Sequence, residues 1–196
     1  NAAPVITTAV VDATTGATIT GQVSELSTVV VKNAAGVILA TGMTDTTGAF
    51  SFALSPAQAN GEKVYVTATD TAPTPLSSII YEATASDITA PNAPTDLDVV
   101  DAGATVTGKA EPNSTIEIKD PNGVVIGTGT TDASGNFSIP VNPAQNNGQT
   151  VTATATDAAG NTSVPTSALA DNAAPVITTA VVDATTGATI TGQVSE

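Results

Sequence analysis

Along residues 95–168 small or apolar side chains alternate with threonine and other polar ones, the period of two expected of half-buried strands. The alternating segments are 95–100, 104–110, 114–119, 124–130, 136–141, 150–156 and 162–168. Between them lie Asp101-Ala102-Gly103, Glu111-Pro112-Asn113, Asp120-Pro121-Asn122-Gly123, Asp132-Ala133-Ser134-Gly135, residues 142–149 and Asp157-Ala158-Ala159-Gly160-Asn161. Each is rich in Gly, Pro, Asn or Asp, which supply the backbone angles of tight turns. Seven short strands at about 12-residue spacing predict an antiparallel β-sandwich, read here in up-and-down order, with no helix of useful length. The alternation turns Val106, Ile116, Ile118, Phe137, Ile139, Val151, Ala153 and Ala155 inward and the intervening threonines outward.

The same pattern occurs upstream. GATITGQV at Gly16 returns as GATVTGKA at Gly103, and DTTGAFSF at Asp45 as DASGNFSI at Asp132, an offset of 87 residues (103 minus 16) with no insertion between. Pro56-Ala57-Gln58 and Thr67-Ala68-Thr69-Asp70 map by that shift onto Pro143-Ala144-Gln145 and Thr154-Ala155-Thr156-Asp157. The first-unit core is then Ile19, Val29, Val31, Phe50, Phe52, Val64, Val66 and Ala68. Residues 1–25 and 172–196 are one string, NAAPVITTAVVDATTGATITGQVSE. A fixed period of this kind marks an array of repeats. The expected organisation is all-β: seven-stranded sandwiches at 1–86 and 87–171, arranged end to end, and the opening strands of an incomplete third repeat at 172–196. Two strands cannot bury a core by themselves. Order in 172–196 therefore requires packing against the second unit or pairing with another copy.

Composition thins the core and narrows the chemistry. Aromatic residues are 3% of the chain and Trp is absent, so the interiors are packed from Val, Ile and Ala. Eighteen acids against four lysines, with no His, give a net charge of −14 and a field that repels phosphate. Nucleic acid, which needs basic side chains at its phosphates, is excluded as a partner. With no Cys, no disulfide staples these small domains. No apolar run approaches the roughly 18 residues of a membrane-spanning helix, and no membrane insertion is expected. Without His, Cys or Arg, and with every acid in a turn or on an outer face, an enzyme is not expected. An EF-hand-like reading of DLDVVDAG fails on spacing, on the missing terminal Glu and on the absent helices.

From residue 87 to 163 the strings AEPN (110–113), DPNG (120–123), GNF (135–137), PAQ (143–145) and TATDAAGN (154–161) follow in that order. This combination closely resembles the bacterial immunoglobulin-like repeats of giant surface adhesins, the Bap-like biofilm-associated proteins of Gram-negative bacteria above all. The first unit departs from it at Thr71-Ala72-Pro73-Thr74, where AAGN is expected. The resemblance implies an extracellular stalk on the bacterial cell surface, acting in cell adhesion and biofilm formation, whose partners are neighbouring repeats and other copies of the adhesin. It also implies Ca²⁺ near domain junctions. The chain order assigns that ion Asp87, Glu111, Asp132 and Asp157, with Asp12 from the first unit. Hard oxygen ligands from several loops suit Ca²⁺, and turn capping by the same carboxylates is the competing account.

Two functions from different classes follow. In one the repeats are spacers that contact little beyond their neighbours; in the other they bind homotypically or to matrix. Hot spots favour Trp, Tyr and Arg, and Tyr65 and Tyr81 are the only tyrosines, with Thr152 in the place of Tyr65 in the second unit. The spacer is the expected reading.

Overall fold

A computed structural model describes residues 2–146, 148–170, 176–182, 184–185 and 187–195. It divides into two units, at Thr89 and Ala90. The first contains β1 (Ile6–Val11), β2 (Thr18–Val23), β3 (Ser27–Asn33), β4 (Ile38–Met43), β5 (Ala49–Ala53), β6 (Lys63–Asp70) and β7 (Tyr81–Thr84). The second contains β8 (Thr95–Val100), β9 (Thr105–Lys109), β10 (Thr115–Lys119), β11 (Val125–Thr130), β12 (Asn136–Pro140), β13 (Gln149–Thr156) and β14 (Thr166–Ala170), with a 3-10 turn at Asp101–Gly103. β15 (Val176–Val182) and β16 (Ile190–Ser195) follow as a two-stranded sheet.

Each unit is a sandwich of a three-stranded and a four-stranded antiparallel sheet. The orders are β1-β2-β5 with β4-β3-β6-β7, and β8-β9-β12 with β11-β10-β13-β14. The up-and-down order expected from the sequence is thereby corrected. After the β10–β11 hairpin the chain crosses to pair β12 with β9, then returns to pair β13 with β10. Alternation fixes which face of a strand is buried but not which strand lies beside it. Closing a core between two sheets requires the crossings of an immunoglobulin-like sandwich.

Period-two burial is plain in β13, where Val151, Ala153 and Ala155 are buried and the threonines between them only partly so. All eight inward residues expected for the second unit are buried, as are their first-unit equivalents except Phe52. Phe52 is partly buried and stacks on Phe50 with ring centroids 5.3 Å apart. The last strand begins at Thr166 rather than Thr162. Pro165 cannot donate to a ladder, so Thr162 makes only an isolated bridge to Thr156 before the proline.

The first unit also extends past the expected boundary. Asp87 bridges Asn60, and the Ile88 N–H donates to the Ala59 carbonyl at 2.8 Å. These contacts tie residues 87–89 to the β5–β6 connection of the first sandwich.

A repeated tie joins the turn of the first hairpin of each unit to the connection between its fifth and sixth strands. Gly16, with φ +61°, lies so close to Gln58 that a Cβ would stand 2.0 Å from the Gln58 carbonyl oxygen, and the Gln58 N–H donates to the Gly16 carbonyl at 2.9 Å. Gly103 and Gln145 repeat this, at 1.8 Å and 2.8 Å. The Gln58 and Gln145 side chains are buried and donate to the Pro56 and Pro143 carbonyls at 3.0 Å and 2.9 Å. The repeated PAQ string is therefore a clasp on the first hairpin of each sandwich.

Candidate cation site and the turns that hold its carboxylates

The candidate site begins with a five-residue turn that the sequence uses repeatedly. At Asp132-Ala133-Ser134-Gly135-Asn136 the Asp132 Oδ1 accepts from the Ser134 and Asn136 backbone N–H groups, both at 2.8 Å. The Gly135 N–H donates to the Asp132 carbonyl at 3.0 Å, and the Asp132 N–H to the Asn136 carbonyl at 2.8 Å. The fourth position must pass through the left-handed region, and Gly135 does so at φ +82°. This is a type I turn closed by a left-handed residue, a geometry common in hairpins and used at Asp132 where the chain crosses from one sheet to the other. Asp157 repeats the arrangement with Ala159 and Asn161 at 2.8 Å and 2.9 Å, and its Oδ2 accepts from the Asn161 side-chain amide at 2.9 Å.

Three further turns share the pattern. Asp120 caps Asn122 and Val124, Asp45 caps Thr47 and Ala49, and Asn33 caps Ala35 and Val37, all at 2.8–3.0 Å. Asn33 occupies the same place in the first unit as Asp120 in the second. A neutral amide oxygen there makes the same two contacts as a carboxylate, so the turn requires an acceptor and not a charge.

The loops bearing Glu111, Asp132 and Asp157 gather at one end of the second unit. Thr131 Oγ donates to the Glu111 carbonyl at 2.6 Å and accepts from the Ser114 N–H at 2.9 Å, while Thr115 is flanked by Thr130 and Thr156. Asp12 and Asp87 are residues of the first unit. Asp12 closes the β1–β2 turn, its Oδ1 accepting from the Thr15 N–H and hydroxyl, each at 2.7 Å, and Asp87 Oδ1 accepts from the Thr89 N–H at 3.1 Å.

Hydrogen bonding also sets the acidity of these groups. The Thr15 hydroxyl holds the Asp12 carboxyl below the usual carboxylate range, and the Thr47 hydroxyl does so for Asp45. The Val124 amide lowers Asp120, the Asn136 amide lowers Asp132, and the Asn161 side chain lowers Asp157. Donors of its own turn thus keep each carboxylate ionised to a lower pH than a free one.

Ca²⁺ takes six to eight oxygens, several of them carboxylate. Among the described residues no group of three or more acidic side chains is placed to hold one ion. At Asp132 and Asp157 one oxygen already receives two backbone N–H groups. Within their own units these carboxylates act as turn caps. Reading the sequence for isolated acids missed Asn33, Asp45 and Asp120. The signal that finds them is Asp or Asn followed three residues later by Gly, five times in the two units.

The sheet orders and the clasped first hairpin define an immunoglobulin-like sandwich used in tandem. The model of the bacterial Ig domain family matches residues 3–87 and again 90–172, and the chain belongs to that family as two successive copies. Among solved structures it is similar to the BSP domain of a biofilm associated protein, with 22% identity and a TM-score of 0.38 over 87% of this chain. The match spans 29% of that protein's chain. It is also similar to a two-domain fibronectin type-III segment of chicken tenascin, with 14% identity, a TM-score of 0.44, and coverage of 85% of this chain and 99% of that one. No curated protein sequence matches.

Proposed function

We propose that these repeats are spacer domains of a large bacterial surface adhesin, holding an adhesive part away from the cell in attachment and biofilm growth. The observation that carries the reading is the tandem bacterial Ig family match over nearly the whole of both units. The chemistry of the faces supports it. The outer face of the four-stranded sheet of the second unit carries Thr115, Thr128, Thr130, Thr152, Thr154 and Thr156, with Glu117 paired to Lys119 at 2.8 Å. Such a surface is well hydrated and lacks the aromatic or Arg anchors of a binding hot spot. The net charge of −14 on the chain as a whole keeps like domains apart.

The test exchanges these repeats, in the whole protein on the cell, for an equal number of unrelated immunoglobulin-like domains. A spacer tolerates the exchange and attachment persists, whereas deletion without replacement reduces it. Loss of attachment after the equal exchange would overturn the reading.

One observation favours a binding module instead. The connection between β6 and β7 in the first unit exposes three large apolar residues, Leu76, Ile79 and Ile80, where the hydrogen bonding of the second unit places Asn161, Val164 and Pro165. Beads coated with residues 1–171 would aggregate under that reading, and replacing Ile79 and Ile80 by Ser would disperse them.

A further inference from the structure

Asparagine precedes glycine at three places in the chain, Asn60-Gly61, Asn122-Gly123 and Asn147-Gly148. The first and last are one position of the two units, 87 residues apart (147 minus 60), just after the PAQ clasp. The dipeptide carries a chemistry of its own. With no Cβ to obstruct it, the glycine nitrogen can reach the Cγ of the preceding carboxamide and close a five-membered ring. Whether the ring closes depends on what holds the two groups.

At Asn122-Gly123 both groups are engaged. The Gly123 N–H donates to the Asp120 carbonyl at 3.0 Å, and the Asn122 N–H and Nδ2 donate to the Asp120 carboxylate at 2.9 Å and 3.4 Å. In the second unit the Gly148 N–H donates to the Ala170 carbonyl at 3.0 Å. Asn60-Gly61 is held more loosely. The Gly61 N–H reaches the Ser86 carbonyl only at 3.5 Å, beyond the range of a well-made N–H···O bond. Asn60 is exposed, and among the described residues its carboxamide makes no hydrogen bond. The attacking nitrogen and the carbon it attacks are thus least encumbered at this one of the three sites.

We propose that Asn60-Gly61 is a site of spontaneous covalent modification, at which Asn60 is converted to aspartate and isoaspartate and residues 85–89 lose their hold on the first sandwich. The Gly61 nitrogen attacks Cγ of Asn60. An N–Cγ bond forms, the Cγ–Nδ2 bond breaks, and ammonia leaves with the proton that the Gly61 nitrogen gives up. Water then opens the cyclic imide at either carbonyl. Opening at Cγ leaves an ordinary aspartate, and opening at the backbone carbonyl leaves the chain running through Cγ, one methylene longer. Water is consumed and ammonia released, with no oxidant, reductant or cofactor. The products act on a crowded place. Asn60 bridges Asp87 and its N–H donates to Glu62 Oε2 at 2.8 Å, so the new carboxylate arises beside two others and is repelled by them. The same bridge is flanked by the Ile88 N–H on the Ala59 carbonyl at 2.8 Å and the Ala85 N–H on the Glu62 carbonyl at 2.9 Å, and the Thr89 hydroxyl donates to the Ala59 carbonyl at 3.0 Å. A longer backbone at residue 60 puts these contacts out of register.

The experiment ages the full chain in mildly alkaline buffer, where the attacking amide gives up its proton most readily, both folded and in urea. Cleavage after Lys32 and Lys63 isolates residues 33–63, and fragmentation mass spectrometry reads the exchange of carboxamide for carboxyl at each asparagine. In the folded chain Asn60 is expected to convert about fivefold faster than Asn122 and Asn147, the factor by which a well-made hydrogen bond restrains the nitrogen. In urea the three should convert at similar rates. Hydrogen exchange at the Ile88 amide reads the loosening, and its protection should fall in step with conversion. Asn60→Gln, whose longer side chain does not close the ring under these conditions, should keep that protection through the same ageing. The proposal is overturned if Asn60 stays intact in the folded chain, or if Asn122 or Asn147 converts as fast there. It is overturned equally if Ile88 protection is unchanged by conversion, or is lost to the same extent in aged Asn60→Gln. None of these outcomes bears on the spacer reading, whose test is made on attached cells.

Discussion

Phe137 lies over Gly108, the residue opposite it on β9, and a Cβ on that glycine would stand 2.6 Å from the ring Cζ. Phe50 and Gly21 repeat the pair in the first unit at 2.4 Å. Directly opposed residues share a face, so an aromatic ring and a missing side chain together make one complementary contact. In a core otherwise built from Val, Ile and Ala, this ring is the largest apolar group of the second sandwich.

Replacing either member should therefore cost heavily. Phe137→Ala is expected to lose about 3–5 kcal/mol, comparable with the whole stability of a small domain. Gly108→Val should also destabilise, because the ring can yield only by leaving its buried position. Urea denaturation followed by far-ultraviolet circular dichroism would show the second unit melting early in both variants while the first is unchanged. An unaltered midpoint for Gly108→Val would show that the ring moves aside at little cost.

The clasp gives a sharper case. Gly103 combines φ +86° with a Cβ position 1.8 Å from the Gln145 carbonyl oxygen. Gly103→Ala is expected to cost more than about 1 kcal/mol, against the small gain that Gly→Ala brings where the backbone permits it. Hydrogen exchange should show faster exchange at Gln145, whose amide donates across this contact. Protection equal to that of the unaltered chain would argue against the clasp.

Substitution within the five-residue turns separates acceptor from charge. Because Asn33 performs in the first unit the work of Asp120 in the second, Asp132→Asn should lower the melting temperature less than Asp132→Ala. If the two fell equally, the carboxylate charge itself would matter and an ion at that turn would regain support.

Acid sensitivity follows from the same turns. Asp45, Asp120, Asp132 and Asp157 have carboxyls lowered from an ordinary value of 3.8. A group more acidic in the folded chain than in the unfolded one contributes stability above its unfolded value, and loses it as pH falls through the lower folded value. Thermal midpoints should be level from pH 8 to about 5 and decline below about 4. A decline beginning near pH 6 would require a different titrating group.

Calcium is tested by a melt of the whole chain with the ion and then with a chelator. Since the acids act as turn caps, the expected midpoints coincide. A calcium-dependent rise would instead support Asp12, Asp87, Glu111, Asp132 and Asp157 as ligands, because an ion that binds only the folded form stabilises it by mass action.

Much of this architecture could be read from residue order, for identifiable reasons. Burial follows alternation, so Val106, Ile116 and Val151 were assignable from their neighbours alone. Strand partners did not follow, because nothing local to residues 136–140 states that they pair with β9 across the sandwich and not with the preceding strand. Proline explains the late start of β14, a signal present at Pro165 but outweighed by alternation on both sides. At the candidate site the sequence showed acids in turns, yet an acid in a turn is the same letter whether it binds an ion or an amide. Only the comparison of Asn33 with Asp120 separates the two, and it becomes visible once both are known to close the same hairpin.

The identical hairpins at residues 6–23 and 177–194 are separated by one complete sandwich with a different opening pair of strands, and that spacing bears on synthesis. During translation a chain emerges from its N-terminal end, and adjacent domains of similar sequence are prone to exchange strands before either is complete. Here the nearest hairpin to a newly made first unit is β8–β9, which carries Asp96, Leu97 and Asp98 between Thr95 and Val99 where β1 carries Ala9 and Val10 between Thr8 and Val11. The matching copy appears only after the intervening domain has been made. Alternation of two unlike units thus acts as a timing device, letting each sandwich close on its own strands before an equally good substitute leaves the ribosome.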